Sequence, residues 1–294
     1  MLESGKVAIV IPAYNAEGGL EKSVRSVLAQ TLREIEVWIV DDGSQDGTGK
    51  IADRLANDDP RVRVLHQDNC GCYQARLNAL KQVKAPYFGF VDADDTIAPQ
   101  MFEKMLAFAE RENLDVVQCG HDVNGRSVEW EGDSGILPSH DVVVEKYVTP
   151  LLIEGVLGGA FVWNKLYRNQ YDFGKFDPTD KDTTFEDMIF NLQFFLSVRR
   201  MGFIDEPLYH YYINEGSSVR NFTAKTLKDF GECIRVRKAV IPMYGVEGSK
   251  ALCRHWLRMN ARNAIVSAMR SRQPLATRFR NIAGICKLVL GRGL

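Results

Sequence analysis

Short apolar runs alternate with stretches of helical periodicity through the amino-terminal part of the chain. Residues 7–11 and 37–40 have the length and composition of buried strands. Between them, residues 20–28 place apolar side chains every three or four positions, which is the repeat of one helix face. This alternation is typical of βαβ units and predicts a parallel sheet with helices packed on its faces.

The same alternation continues along the chain and then weakens. Further apolar runs predict strands at residues 62–65, 87–91 and 115–119. Residues 122–135 are polar and rich in glycine, which predicts a loop or a weak hairpin. Residues 185–196 predict a helix and residues 203–212 an edge strand.

The distribution of charge divides the chain in two. The net charge is only -1, but no acid follows Glu247, whereas ten basic residues do, at positions 250, 254, 258, 262, 270, 272, 278, 280, 287 and 292. This part is also helical in pattern, so we divide the chain into an α/β domain, residues 1–220, and a basic helical C-terminal extension, residues 221–294. A uniformly basic segment predicts an anionic partner.

Composition excludes several classes of protein. The chain has 294 residues, of which 45% are hydrophobic and 26% charged, as in ordinary globular proteins. No uncharged apolar stretch approaches the ~20 residues of a bilayer helix, and the amino terminus lacks the pattern of a signal peptide. Six cysteines without C-x-x-C spacing predict reduced thiols rather than a zinc site. We therefore expect a cytoplasmic protein that at most lies on the inner face of the cytoplasmic membrane.

Two clusters of acid directly follow apolar runs. Asp41 and Asp42 follow the second predicted strand, and Asp92, Asp94 and Asp95 follow the fourth. In a parallel sheet, ligands bind beyond the carboxyl ends of the strands. Carboxylates that share one crevice raise each other's pKa and weaken the fold unless a cation is present. Oxygen ligands suit Mg²⁺ or Mn²⁺, which usually share their coordination with phosphates, so a nucleotide diphosphate is the predicted ligand.

Five strings of residues occur in the order found in family 2 glycosyltransferases with a GT-A fold. They are Ile11-Pro12-Ala13-Tyr14-Asn15, Val40-Asp41-Asp42-Gly43-Ser44, residues 69–78 with Gly71 and Ala75-Arg76, Asp92-Ala93-Asp94-Asp95, and Phe185-Glu186-Asp187. The chain resembles this family over residues 5–218. The strings at 163–168 and 208–212 are similar to those of bacterial enzymes that build capsule, exopolysaccharide or lipopolysaccharide glycans.

The resemblance implies both a fold and an activity. The fold would be GT-A, a Rossmann-like and mostly parallel sheet with flanking helices. The activity would be inverting transfer of a sugar from a nucleotide-sugar donor, UDP-linked, to a hydroxyl of a lipid-linked or growing cell-surface glycan, with Mn²⁺ or Mg²⁺. The Gln-x-x-Arg-Trp motif of processive synthases is absent, which favours the addition of single sugars.

The resemblance also assigns the residues that bind the nucleoside. Asp42 would accept the N3–H of uracil, and Pro12, Ala13 and Tyr14 would form the floor under the nucleoside, with Asn15 completing the string. The alternative for Asp42 is a structural one, because Asp-Gly-Ser is common in turns and caps.

Three further residues are assigned to the ribose, to the metal, and to a nucleobase carbonyl or a phosphate. By resemblance, Asp92 contacts the ribose and Asp94 ligates the metal. Arg76 would pair with a nucleobase carbonyl or a phosphate, because guanidinium presents paired donors. The alternatives are an acidic helix entry, in which Asp95 or Thr96 acts as a cap, and a surface arginine paired with an acid.

The acceptor side is assigned mainly by the family pattern. Asp187 would take the proton of the acceptor hydroxyl, a role that its position at a predicted helix start supports. Glu186 beside it is the second candidate. Lys165 would reach the acceptor or a phosphate, or would simply be a solvated head on an apolar stem. His210 among tyrosines is predicted to be packed or hydrogen-bonded.

The carboxyl-terminal stretch 274–294 mixes basic and apolar residues. Such a helix can lie in a membrane interface and bind anionic lipid at ~1 kcal/mol per basic residue. A helix packed on its own domain and a homodimer contact are the alternatives. No nucleic-acid reader motif is present. Beside the enzyme, a second class of function stays open, a catalytically silent subunit that binds nucleotide-sugar or glycan in a synthesis complex.

Overall fold

The structure is a computed structural model of the chain that divides into two compact units. It describes residues 5–128, 135–150, 161–170, 181, 185–213, 235, 238–244, 258, 261–262, 265–266, 269 and 275–290. The first unit comprises Met1–Val143, Phe161–Gly174 and Ser197–Ile213, and the second comprises Val144–Ala160, Lys175–Leu196 and Asn214–Leu294. The predicted domain boundary at residue 220 lies outside the described residues, and the division there stays a prediction.

In its described residues, the first unit is an α/β structure with ten strands. Its elements are β1 (Val7–Ala13), α1 (Leu20–Leu28), β2 (Ile35–Asp41), α2 (Thr48–Asp58), β3 (Val62–His66), α3 (Cys72–Leu80), β4 (Tyr87–Phe90), β5 (Thr96–Ile97), α4 (Met101–Glu112), β6 (Val116–Val123), β7 (Arg126–Ser127), β8 (Ile136–Leu137), α5 (His140–Val143), β9 (Lys165–Arg168) and β10 (Met201–Tyr211). The strands form one sheet in the order β3-β2-β1-β4-β9-β6-β10-β5, with β7 paired to β6 and β8 to β10.

The amino-terminal half of this sheet is parallel, as predicted. β1 lies between β2 and β4 and is parallel to both, and β3 is parallel to β2. The order of the strands therefore reverses at β1. Every residue of β1 and β2 is buried, which explains why these strands read as unbroken apolar runs rather than alternating ones.

Two features of the sheet differ from the sequence prediction. The short strand β9 lies antiparallel between β4 and β6, and its four residues gave no strand signal of their own. β10 is not an edge strand, so that prediction is wrong. It pairs with β6 on one side and with β5 and β8 on the other, and these two partners have only two residues each, too few to be recognised from sequence.

Close packing of helices on the sheet positions the strand ends. Gly89 in β4 faces Phe102 of α4, and a Cβ at this position would lie 2.6 Å from the ring. Phe102 and Met105 are completely buried there. Only glycine allows α4 to approach β4 so closely, and this contact fixes the strand that leads into Asp92.

The second unit is helical in its described parts. It contains a π-helical turn (Val144–Val148), α6 (Glu186–Phe194), a 3-10 turn (Ile241–Tyr244) and α7 (Leu275–Leu290). The Tyr244 hydroxyl donates to the carbonyl of Leu192 at 2.5 Å, and Tyr147 stacks on Phe195. Among the helices that the structure describes, none combines the length and apolar character needed to cross a bilayer.

Candidate functional site

The predicted nucleotide-binding strings meet at one edge of the sheet in the first unit. Because β1 to β4 run parallel, their carboxyl ends all lie at this edge. The order of the strands reverses between β1 and β4, and such a reversal opens a crevice in which α/β proteins bind ligands. The residues after β2 form one side of this region and the residues after β4 form the other.

The Asp42 carboxylate is clamped by the loop after β3. Asp42 is only 3% exposed. Its Oδ1 accepts the amide N–H of Cys70 at 2.8 Å and the Nε2–H of Gln67 at 2.7 Å, and its Oδ2 accepts the amide N–H of Gly71 at 2.8 Å. Gly71 has a φ of 88°, a conformation that favours glycine. A carboxylate has about four acceptor positions, so Oδ2 retains capacity for a ligand N–H.

Asp41, the neighbouring acid, makes hydrogen bonds that support the fold. It accepts the amide N–H of Ser44 at 3.1 Å and contacts Nδ1 of His66 at 3.0 Å, while Nε2 of His66 contacts Asp53 at 2.9 Å. Burial raises the pKa of Asp41, but the bonds from Ser44 and His66 outweigh it and leave that pKa lowered. The bonds with Asp53 and Asp41 raise the pKa of His66. Asp41 therefore ties β2 to β3.

The end of β1 provides the predicted floor. Pro12 and Ala13 are buried, and the carbonyl of Ala13 accepts the amide N–H of Asp42 at 2.9 Å. Tyr14 is 52% exposed, which leaves its ring accessible beside them. Asn15 has a φ of 50°, and its Oδ1 accepts the amide N–H of Gln45 at 2.8 Å. Asn15 therefore joins the loop after β1 to the loop after β2.

Arg76 joins α3 to the start of the acidic turn after β4. It lies on α3, is 3% exposed, and donates from Nη2 to Oδ1 of Asp92 at 3.1 Å. Its guanidinium also lies 5.5 Å from the centroid of the Phe90 ring. A buried charge requires such a partner. The alternative of a surface arginine is therefore wrong.

The Asp92–Asp95 turn presents its carboxylates in different environments. The amide N–H of Asp95 donates to the carbonyl of Asp92 at 3.1 Å, which closes the turn. Asp94 is exposed and Asp92 is partly exposed, whereas Asp95 is completely buried. The predicted cap role of Asp95 is wrong. The helix that follows begins after Gln100, whose side chain makes no cap, and its Phe102 N–H donates to Oε1 of Gln30 at 3.0 Å. The Asp95 carboxylate instead accepts bonds from residues at the end of β10.

Burial and neighbouring negative charge both disfavour the ionised form of Asp95. Burial first, and then repulsion from the charge of Asp92, raise the pKa of Asp95 to about 8. The hydrogen bonds that Asp95 accepts from Tyr212 and Tyr209 act in the opposite direction but do not outweigh burial. An added cation would reduce this repulsion.

The donor atoms of the turn fit Mn²⁺ or Mg²⁺. Within the described residues there is no cluster of three or more His, Cys, Asp or Glu that could hold a metal by itself. These ions usually take one or two carboxylates from the protein and the rest from water and phosphate oxygens. An exposed Asp94 beside a partly exposed Asp92 suits that kind of site.

Lys165 lies away from solvent. It is completely buried in β9, and its ammonium donates to the carbonyl of Phe161 and to Oδ1 of Asn164. These contacts support the turn that carries Trp163, so the alternative of a solvated head is wrong. Its contact with substrate stays a prediction.

Glu186 and Asp187 begin α6 in the second unit. Both are partly exposed, and Phe185 before them makes no side-chain cap. The amino end of a helix favours carboxylates in their ionised form. The assignment of Asp187 as the base stays a prediction. His210 contacts Asp122 through Nδ1, in agreement with the expectation of a hydrogen-bonded histidine.

A family model and curated relatives match this chain. The model described as Glycosyl transferase family 2 matches residues 8–176. The uncharacterized glycosyltransferase EpsJ of Bacillus subtilis is 32% identical over 277 residues, which cover 89% of this chain and 78% of that protein. The putative glycosyltransferase EpsH of the same organism is 30% identical over 227 residues, covering 76% of this chain and 65% of that protein.

Solved structures share the fold. S. aureus TarS in complex with UDP-GlcNAc has a TM-score of 0.60 at 19% identity, and the match covers 98% of this chain and 73% of that one. The mannosyltransferase PcManGT of Pyrobaculum calidifontis, in complex with GDP-Man and Mn²⁺, has a TM-score of 0.57 at 14% identity, covering 99% of this chain and 89% of that one. At such identities the likeness carries the fold alone, and it confirms the predicted GT-A architecture.

Proposed function

Since the chain belongs to glycosyl transferase family 2, we propose that it transfers a sugar, with inversion, from a UDP-sugar to a hydroxyl of a lipid-linked or growing cell-surface glycan. One observation carries this proposal. A clamped carboxylate, Asp42, and an acidic turn, Asp92–Asp95, lie at the same edge of the sheet on either side of the strand reversal, and α3 follows the loop that contacts Asp42 and carries the Arg76 that contacts Asp92. A nucleoside diphosphate suits this arrangement, because its base offers an N–H to Asp42 and its phosphate oxygens would bind a cation held by the acidic turn.

Asp42 is the residue that selects the base. Its Oδ2 would accept the N3–H of uracil while Pro12 and Ala13 pack under the ring and Tyr14 covers its edge. The N3 atom of cytosine carries no hydrogen, so the same oxygen would repel it. The loop donors from Cys70 and Gly71 hold the carboxylate in place before the ligand arrives.

The acidic turn would bind the diphosphate through a divalent cation. Asp94 would hold the ion, with Asp92 oriented by Arg76 toward the ribose. A bound Mn²⁺ or Mg²⁺ would neutralise the charge that develops on the departing diphosphate. Asp92, Asp94 and Arg76 would themselves bind and orient the donor.

Asp187 would act on the acceptor. Inverting transfer requires the acceptor hydroxyl to lose its proton as it attacks the anomeric carbon, and an ionised carboxylate can take that proton. Asp187 lies in the first turn of α6 and is partly exposed. Glu186 would orient the acceptor beside it.

The helix α7 supports a membrane-associated acceptor. Leu275 and Phe279 are each 68% exposed and lie one turn apart, whereas Asn281 and Ile285 are buried. Because the segment after Glu247 carries ten basic residues and no acid, an anionic bilayer is the surface that this apolar and basic face fits best. Binding to anionic vesicles that weakens as the salt concentration rises would support membrane association. Dimerisation through the same face of α7 would instead show that the face is a contact between two copies of the chain.

The deciding experiment is a screen of nucleotide sugars for Mn²⁺-dependent release of free nucleotide. We expect release from a UDP-sugar that disappears with EDTA and in Asp94→Asn. Glu112→Gln, an acid at the end of α4, serves as the matched control and should release nucleotide normally. Tight UDP binding without release from any donor, with or without glycan acceptors, would favour the silent subunit instead.

A further inference from the structure

The Asp92–Asp95 turn is attached to the end of β10 by two side chains. The Tyr209 hydroxyl donates to Oδ2 of Asp95 at 2.8 Å and accepts the amide N–H of Asp92 at 3.1 Å. The other oxygen of Asp95 accepts the amide N–H of Tyr212 at 2.9 Å. One hydroxyl therefore connects the first and last residues of the turn, and one carboxylate connects the turn to the end of a strand more than a hundred residues away.

The tyrosine that makes these bonds is itself fixed. Tyr209 is completely buried, and its ring stacks on Trp163 with centroids 4.2 Å apart. On the opposite side, the turn lies against α1, where the Ser23 hydroxyl donates to the carbonyl of Asp92 at 3.0 Å. A Cβ added to Gly19 would lie 2.8 Å from the carbonyl oxygen of Ala93. The turn is therefore held between α1 and β10, with Asp94 at its exposed position.

A buried carboxylate is an unfavourable choice for a purely structural anchor here. Asp95 lies next to two other acids, and like charges in one site weaken the fold. An uncharged hydrogen-bonding side chain would avoid that repulsion. A carboxylate, however, accepts from both tyrosines at once, with one oxygen for each bond. The arrangement gives precise placement of the turn at a cost in electrostatic free energy.

We propose that Asp95 and Tyr209 are positioning residues that hold the Asp92–Asp94 turn in the conformation that binds the metal–diphosphate part of the donor. This inference rests on the proposed function, because the donor is what the turn would bind. Groups that bind metal or substrate need such support to keep their geometry. Neither residue touches the donor, so both act through Asp92 and Asp94.

The first test uses the protein without ligand. Tyr209→Phe removes one oxygen and keeps the ring that stacks on Trp163. We expect amide hydrogen exchange of Asp92 to become about tenfold faster, as for the loss of one hydrogen bond in a buried site. Tyr87→Phe removes the hydroxyl of another buried tyrosine, at the amino end of β4, and should leave exchange at Asp92 unchanged.

The second test separates the turn from the nucleoside side. UDP is titrated calorimetrically into the native protein and Tyr209→Phe, with Mn²⁺ or with EDTA. We expect the Kd in Mn²⁺ to rise about tenfold in the variant, while the Kd in EDTA stays the same. A general structural defect would instead weaken both titrations. Asp95→Asn, which keeps an acceptor oxygen, should retain more of the Mn²⁺-dependent affinity than Asp95→Ala.

The outcomes distinguish this role from the proposed function. Native exchange at Asp92 together with native Mn²⁺-dependent affinity in Tyr209→Phe would overturn the positioning role and leave the proposed function intact. A native protein that binds no UDP in either condition would overturn the proposed function, and the donor-directed role of Asp95 and Tyr209 with it, even if exchange showed that the turn is held.

Discussion

The two sides of the crevice stabilise their carboxylates by different means. Asp42 receives three N–H donors from the loop after β3, so its charge is compensated by fixed protein dipoles. The Asp92–Asp95 turn holds three acids in four positions, and its buried member has a pKa raised to about 8. The proposed nucleoside side is therefore preformed, whereas the proposed diphosphate side would gain its charge balance from the cation that we expect to bind there.

The largest expected effect concerns Asp187 in the second unit. Asp187→Asn keeps the shape of the side chain and removes the basic carboxylate, so turnover should fall ~10²-fold or more. UDP affinity, with or without Mn²⁺, should stay within about twofold, because neither side of the crevice is changed. Steady-state kinetics and calorimetry measure the two quantities. If Glu186→Gln loses turnover while Asp187→Asn retains it, the base is Glu186.

Replacing Asp42 tests the preformed side. Hydrogen bonds to charged groups contribute about 1.5–3 kcal/mol, so the native protein should prefer UDP over CDP by roughly 10- to 100-fold, in EDTA as well as in Mn²⁺. Asp42→Asn places an amide N–H where Oδ2 was, and the difference between UDP and CDP should narrow or reverse. Competition binding with both nucleotides measures it. A preference for UDP that survives unchanged would contradict the role of Asp42.

Asp94→Asn tests the side that depends on a cation. The variant should lose about tenfold in UDP affinity in Mn²⁺, because one ligand of the ion is weakened, and nothing in EDTA. Isothermal titration in the two conditions measures this. Glu112→Gln, at the end of α4, is the control of equal charge change. Equal losses in Mn²⁺ and in EDTA would show that Asp94 acts without a metal.

The smallest expected effect concerns His66, which contacts Asp41 on the same side of the crevice as Asp42. Bonds with Asp53 and Asp41 raise the pKa of His66, so protonated His66 stabilises the fold. This stabilisation is complete below the unfolded pKa of 6.5 and is lost as pH rises through the folded pKa. The Tm advantage of the native protein over His66→Gln should therefore shrink between pH 6 and pH 9, by about a degree or two, since the imidazole is half-exposed.

A control variant isolates the cause of that pH dependence. Asp53→Asn removes the partner with the largest influence on the pKa of His66. In the Asp53→Asn background, the Tm difference caused by His66→Gln should change less between pH 6 and pH 9. A native protein whose Tm advantage over His66→Gln is constant across this range would show that the imidazole is held by packing rather than by charge.

Local sequence patterns predict the strand ends and the acids that follow them. The runs that became β1 and β2 are buried on both faces, so their apolar character is continuous and their ends are sharp. The positions of Asp42 and Asp94 just after strands could therefore be predicted from the pattern, whereas their roles came from the family resemblance. Arg76 required the family resemblance, because nothing in its helical neighbours indicates that it is buried against Asp92.

No comparable sequence pattern indicated the contacts between residues that are far apart along the chain. Asp95 and Tyr209 are 114 positions apart, and an acid shortly before Pro99 has the local pattern of a helix cap. The alternation of β10 does place Tyr209 and Tyr211 on one face, where both stack with Trp163, and His210 on the other. That regularity could have suggested the shared aromatic face, but not its partner in the turn.

The bond between Arg76 and Asp92 has a thermodynamic consequence. Asp92 is shared between a cation of the protein and the turn where a second cation would bind, so occupancy of one side alters the charge balance of the other. Because a cation at the turn would offset the negative charge of the diphosphate as well, we expect Mn²⁺ and UDP to bind with positive cooperativity. By linkage, the factor by which Mn²⁺ strengthens UDP binding must equal the factor by which UDP strengthens Mn²⁺ binding. At limiting metal, the apparent affinity for the donor would then report the free concentration of the ion.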